Sequence, residues 1–193
     1  MNSTKTFTTW SIILISILLI TFSLRCFKTI VSPQIQSDDF SIYVTMENSS
    51  EDIIEIIQSN DRNANLKGLK WIMKLKKYDL HRHSGHFIIK KGYSAKNIAD
   101  ILNAGIQTPV KVIINSTRTT EQIAVSISSQ LMLDSATIAS KLNDMDYLKS
   151  KGFDKDNVFY LIIPNTYEFY WNVSIDGFIE RIIKERDAFW NES

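Results

Sequence analysis

Between Thr6 and Leu24 the chain carries no charged residue, and from Ile12 to Ile20 it is almost entirely isoleucine and leucine. No other feature limits the fold so strongly. About 19 residues rising 1.5 Å each make a helix of roughly 28 Å, close to the thickness of a bilayer's hydrocarbon core. Lys5 precedes the run, and Arg25 and Lys28 follow it. Trp10 and Phe27 stand near its two ends, where aromatic side chains favour the membrane interface. A cleaved signal peptide has a shorter apolar core followed by small residues at the cleavage site, whereas here "SLRCFKTIV" follows. Arg25, directly before Cys26, also fits poorly with lipoprotein processing. A retained single-pass anchor is therefore expected, occupying residues 1–32.

The 193 residues leave room behind such an anchor for one large domain or two small ones. A net charge of +1 gives none of the basic excess that a nucleic-acid surface needs, so no nucleic-acid partner is expected. Cys26 is the single cysteine, which excludes a disulfide within the chain.

Three stretches after the anchor repeat one pattern: "FSIYVTMENSSEDIIEIIQSN", "HFIIKKGYSAKNIADILNAG" and "VKVIINSTRTTEQIAVSISSQ". Each opens with a β-branched and aromatic run, which predicts a strand. Each then offers a hydroxyl at a helix N-cap, namely Ser49, Ser94 or Thr119. Apolar residues follow each cap at offsets of four, five and eight: Ile53, Ile54 and Ile57; Ile98, Ala99 and Leu102; Ile123, Ala124 and Ile127. That spacing lays one apolar stripe along a helix, which is ordinarily core. Thr119 with Gln122 also fits a capping box.

Between the first two units, Leu69, Ile72, Met73 and Leu75 predict a helix with a solvated basic outer face. His81, His83 and His86 form an H-x-H-x-x-H cluster, but no cysteine or carboxylate at firm ligand spacing completes a zinc site. The segment reads instead as a loop entering a strand, and no metal is expected. After Leu131, "LDSATIASKLNDMDYLKSKGFD" predicts two short helices stopping near Gly152. "NVFYLIIPNTYEFYWN" is apolar and aromatic, broken by Pro164, and "SIDGFIERIIKERDAFW" predicts a helix with Phe178, Ile182 and Phe189 on one side. Glu168 lies between Tyr167 and Phe169, with Tyr170 and Trp171 beyond. A carboxyl enclosed by apolar groups stays protonated near neutral pH and can act as an acid. The alternative, a solvated surface carboxylate, is the usual state of a glutamate.

The stretch "IIKKGYSAKNIADILNAG" resembles a LysM-type module. Such modules bind glycans containing N-acetylglucosamine, which implies substrate contact at Gly92, Tyr93 and Ser94; a plain tight turn and cap is the competing reading. The whole order of anchor, strand–helix units, "QTPVKVIIN", "RTTEQIA", "IPNTYEFYWN" and "GFIERIIKERDAFWN" resembles the YceG-like endolytic murein transglycosylases. Pro164, Asn165, Thr166, Tyr167 and Phe169 match that family's signature run, and Phe178 and Arg181 match its following Phe-x-x-Arg helix.

The resemblance implies a protein of the bacterial cytoplasmic membrane with its bulk on the outer side. Its partners would be peptidoglycan glycan strands and cell-wall synthases. Its reaction would be non-hydrolytic cleavage of the MurNAc–GlcNAc β-1,4 bond, leaving 1,6-anhydro-MurNAc ends. The resemblance further implies substrate contacts at Asn165, Thr166, Tyr167 and Tyr170, and no cofactor. No lysine pocket for pyridoxal phosphate is identifiable in the sequence either. In the family the catalytic glutamate lies in a later helix of the type Ala-Ser-Ile-Val-Glu-Lys-Glu-Thr, which has no counterpart here. Glu168, at the variable position of the signature run, is the one weak candidate. The expectation is thus a fragment or truncated form lacking the catalytic acid, with a non-catalytic, membrane-tethered peptidoglycan-binding protein as the alternative. The expected fold is α+β: anchor (1–32), first strand–helix subdomain (33–83), LysM-like subdomain (84–130) and the incomplete start of a catalytic domain (131–193).

Overall fold

The structure, a computed structural model, describes residues 3–116, 119–153 and 161–191. Arg118 of "RTTEQIA", Asp154 at the end of the two-helix segment and residues 157–160 of the aromatic run lie outside the described residues. The fold is α+β with small sheets, and it packs as two compact units, Met1–Ile106 and Gln107–Ser193.

The first unit begins with α1 (Ser3–Val31). Its stretch Ile12–Val31 has a mean hydropathy of 1.9 and none of its apolar window is buried. Among the described residues it is the one helix long and apolar enough to cross a membrane, consistent with a single-pass anchor. There follow β1 (Phe40–Val44), α2 (Ser50–Asn60), α3 (Lys67–Leu75), a 3-10 turn at Tyr78–Leu80, β2 (Gly85–Ile89) and α4 (Ala95–Asn103). β1 and β2 pair antiparallel, with Ile42 opposite Phe87 and Val44 opposite Gly85. The segment 33–83 and the part of 84–130 up to Ile106 therefore share a sheet, whereas residues 107–130 belong to the second unit. The two paired segments also share a core, in which Ile53, Ile57, Leu69, Phe87, Ile98 and Leu102 have no exposed surface. Each such side chain contributes about 1.5–3 kcal/mol of apolar transfer energy.

Local chemistry explains where these helices start. Ser49 and Ser94 both make full capping boxes, with Asp52 and Asn97 as the reciprocating residues. Asp79 adds a second cap on α2, accepting from the Ser50 amide (2.8 Å) and hydroxyl (2.7 Å). The end of α2 is held by Asp61, whose carboxylate accepts from the amides of Gln36 (2.6 Å), Ser37 (3.0 Å) and Asn63 (3.1 Å). Burial pushes the Asp61 carboxyl up, but these donors outweigh it and hold it below the ordinary carboxylate range. One expectation fails on α3: Leu69, Ile72 and Met73 are buried, but Leu75 is 66% exposed. Leu75 stands four residues beyond the exposed Trp71, so the helical turn aligns those two on the outer face.

The second unit contains β3 (Val110–Ile114), α5 (Thr120–Ser128), α6 (Ser135–Asn143), α7 (Met145–Ser150), β4 (Asn165–Phe169) and α8 (Ile175–Asn191). Thr119 caps α5, accepting from the Gln122 amide, while Asp134 and Asp144 cap the two short helices. Gly152 ends them at a φ of +84°. β3 pairs antiparallel with β4, a partner more than fifty residues away in sequence. The core gathers Val112, Ile114, Ile127, Ile138, Leu142, Phe169, Phe178, Ile179 and Ile182. Phe189 is on the expected helix and is 52% exposed. It shares the helical face of Ile182 but lies about 10 Å further along the axis, past the last buried turn.

Candidate functional site

From Thr166 onward the signature strand β4 alternates, and Asn165 at its start is exposed although it is in phase with Tyr167. Thr166 and Glu168 are exposed, while Tyr167 and Phe169 are buried. Pro164 precedes the strand, where its missing amide leaves no ladder bond unmet. The Asn165 carboxamide oxygen accepts from the Thr166 amide (2.7 Å), which turns the chain into the ribbon. Tyr167 donates its phenol proton to the Ile163 carbonyl (2.5 Å), and Phe169 packs on Phe178 with ring centroids 4.8 Å apart. Burial raises the Tyr167 phenol above its ordinary range, with the Glu185 carboxylate adding to the effect. Two signature aromatics are thus buried supports, and Phe178 of the following helix is what Phe169 rests on.

The outer face of the ribbon presents Glu168 directly opposite Lys111, and Thr166 opposite the half-exposed Ile113. The aromatic enclosure considered for Glu168 does not form, because strand alternation sends Tyr167 and Phe169 to the other face. Beside this face lies an open groove of about 350 Å³ lined by Pro109, Glu168, Phe169, Tyr170, Val173, Gly177 and Arg181. Its ring, Tyr170, is 55% exposed. The Arg181 guanidinium is fixed by Glu185 at 2.7 Å, one turn along α8. An exposed ring, a carboxylate and an anchored guanidinium around a shallow groove suit a polyhydroxylated ligand with amide groups better than a small apolar one. Val173, Gly177 and Arg181 were not among the expected contacts. The one signal for them was the Phe-x-x-Arg spacing, which sets Arg181 beside Phe178 on α8.

The loop Gly92–Ser94 is built differently. Gly92 has a φ of +81°, and no atom lies near a Cβ placed there, so backbone conformation rather than space favours glycine. The Gly92 amide donates to the Ile35 carbonyl (3.0 Å), and the Tyr93 carbonyl accepts from the amides of Gln34 (2.8 Å) and Ile35 (3.2 Å). Ser94 is buried; its hydroxyl donates to Asn97 Oδ1 (2.6 Å) and accepts from the Asn97 amide (3.2 Å). These groups tie the segment after α1 to α4. The ribbon residues and the loop residues belong to different units.

The three histidines also part company. His81 is exposed with a ring nitrogen 3.4 Å from the Lys77 carbonyl, His83 lies against Gly105, and His86 is buried and stacked on Tyr43. No group of three or more metal-ligating side chains occurs among the described residues.

The comparisons agree with the resemblance. The YceG-like family model matches residues 42–193, nearly everything after the anchor. A crystal structure of a yceG-like protein from Listeria monocytogenes is similar at 19% identity, with a TM-score of 0.44. That similarity covers 78% of this chain and 55% of the Listeria chain, so the 193 residues span about half of that protein's length. No curated protein matches the sequence significantly. The match over residues 42–193, with the signature strand and its Phe178–Arg181 helix packed together as described, makes this chain a member of the YceG-like family.

Proposed function

We propose that this chain is the membrane-anchored, glycan-holding part of an endolytic peptidoglycan transglycosylase. The observation that carries the reading is the exposed face of the family's signature strand, which runs beside the groove of Tyr170 and Arg181. Asn165, Thr166 and Glu168 offer hydrogen bonds to sugar hydroxyls and acetamido groups, and the Tyr170 ring offers a stacking face. Tyr167 acts from behind, tying the strand to the Ile163 carbonyl just before it.

The reaction of such an enzyme needs one protonated carboxyl. It gives its proton to the glycosidic oxygen of the bond after MurNAc; the bond from C1 to that oxygen breaks; the sugar's own C6 hydroxyl closes on C1 and returns a proton to the carboxylate. Water does not enter, so the second carboxylate of a hydrolase is not required. Glu168 contributes to binding in this scheme, because it lies on the solvated face opposite Lys111.

Incubating the full chain in detergent with purified sacculi tests the reading. Sedimentation with the sacculi, without release of 1,6-anhydro-muropeptides, is the expected result. Release of such products that disappears in Glu168→Gln would make Glu168 the acid and refute the assignment. Failure to sediment at all would refute glycan holding.

A further inference from the structure

Helix α3 has two faces. Gly68, Leu69, Ile72 and Met73 are buried, whereas Lys67, Lys70, Trp71, Lys74 and Leu75 form a continuous outer stripe at helical spacing. On that stripe Trp71 is 54% and Leu75 66% exposed, an unusual amount of large apolar surface for one short helix. Lys70 pairs with Glu51 (3.3 Å), but Lys67 and Lys74 have no acidic partner among the described residues.

The position of this stripe relative to the anchor gives it meaning. α3 packs on the C-terminal turns of α1. A Cβ on Gly68 would come within 2.5 Å of the Thr29 carbonyl oxygen, so only glycine allows this approach. Phe22, Arg25, Cys26, Thr29 and Ile30 of α1 form a shared groove with Lys67, Gly68 and Trp71. Phe22 still belongs to the charge-free run, and Arg25 is its first cation. Trp71 is therefore held at the level along α1 where apolar sequence gives way to charge, which is the preferred depth of tryptophan in a bilayer. Arg25, Lys28 and Lys67 line the grooves at that level and give it positive charge. Trp and Leu beside lysines on one helical face is the composition of a helix lying in the interface of an anionic membrane.

We propose that the outer face of α3 docks on anionic phospholipid headgroups, with Trp71 and Leu75 entering the interface and Lys67 and Lys74 meeting lipid phosphates. The docking rests on the reading of α1 as a bilayer-spanning anchor. It would add a second membrane contact to that of α1 and fix the posture of the first unit on the bilayer surface.

The test uses the full chain in nanodiscs made with acyl-brominated phosphatidylcholine, with or without an equal share of phosphatidylglycerol. Trp10→Phe, Trp171→Phe and Trp190→Phe together leave Trp71 as the sole fluorophore; a companion with Trp71→Phe, Trp171→Phe and Trp190→Phe leaves Trp10 within the anchor. Trp71 is expected to be quenched by the brominated chains, and more strongly when phosphatidylglycerol is present. Lys67→Glu with Lys74→Glu, both at exposed positions, is expected to lower the docked-to-undocked ratio by roughly fivefold per lysine. Quenching of Trp10 without quenching of Trp71 overturns the docking while leaving the anchor intact. Quenching of neither overturns both. Trp71 shielded from aqueous acrylamide yet untouched by brominated lipid would mean that a second copy or another protein covers the face, and also overturns the proposal.

Discussion

The loop Gly92–Ser94 and the strand Asn165–Phe169 entered with the same expectation, contact with glycan, and the structure equips them differently. In the loop, the Gly92 amide, the Tyr93 carbonyl and the Ser94 hydroxyl are already bonded within the first unit. In the strand, Asn165, Thr166 and Glu168 are exposed and the groove beside it has a ring and a guanidinium on its walls. Buried, satisfied polar groups specify structure, and displaying polar groups to a ligand requires leaving them in water. Under the proposed function, this contrast makes the loop the architectural element and the strand the recognising one.

The largest expected effect falls on the loop's side of the comparison. Asp61→Ala leaves three backbone amides without their acceptor and frees residues 36 and 37, which continue the segment pinned by Gly92 and Tyr93. We expect a loss of about 2–3 kcal/mol in denaturant unfolding of the first unit, with sacculus binding preserved wherever the chain stays folded. Ser94→Ala removes the capping hydroxyl of α4 and should cost about 1–2 kcal/mol in the same measurement. If Ser94→Ala instead weakened glycan binding with stability unchanged, the assignment of roles would be reversed.

The strand's side should answer in binding rather than stability. Tyr170→Ala removes a half-exposed ring, so stability should move by no more than about 0.5 kcal/mol. Loss of about 1 kcal/mol of stacking would weaken glycan affinity roughly fivefold in equilibrium sedimentation.

Acid and alkali should act on different contacts. The Asp61 and Asp79 carboxyls are held low: burial opposes their ionisation, and donors at Gln36, Ser37, Asn63, Ser50 and Arg82 overcome it. Their contribution is present above the unfolded value of about 4 and is lost as pH falls through the folded values. The Tyr167 phenol is raised, so its contribution to the ribbon is present below about pH 10 and lost as pH rises through the folded value. Hydrogen exchange across a pH series should show the amides around Asp61 and Asp79 loosening in acid and those of the ribbon around Tyr167 loosening in alkali. The smallest effect belongs to Glu168→Gln, for which we expect stability within about 0.5 kcal/mol of the parent in thermal melts.

Short-range chemistry made much of this fold legible in advance. Ser49, Ser94 and Thr119 cap their helices, the isoleucine and alanine stripes face the cores, and Pro164 marks the entry to β4, because each depends on neighbours a few residues away. Pairing was not legible. Nothing in the periodicity of Val110–Ile114 names Asn165–Phe169 as its partner, since alternation records a face and not a neighbour. The same blindness applied to Leu75, whose apolar character grouped it with Leu69, Ile72 and Met73 although helix geometry placed it on the outer face. Glu168 was read beside its sequence neighbours, whereas the strand's alternation gave it Lys111 and, across the groove, Arg181.

The division of roles is tested most directly by comparing two tyrosines. Tyr93→Ala and Tyr170→Ala, each in the full chain in detergent and matched for folding by circular dichroism, are titrated against purified sacculi. The account predicts that Tyr170→Ala weakens binding roughly fivefold while Tyr93→Ala binds as the parent does. Weakening by Tyr93→Ala with Tyr170→Ala unaffected would contradict it and return recognition to the loop.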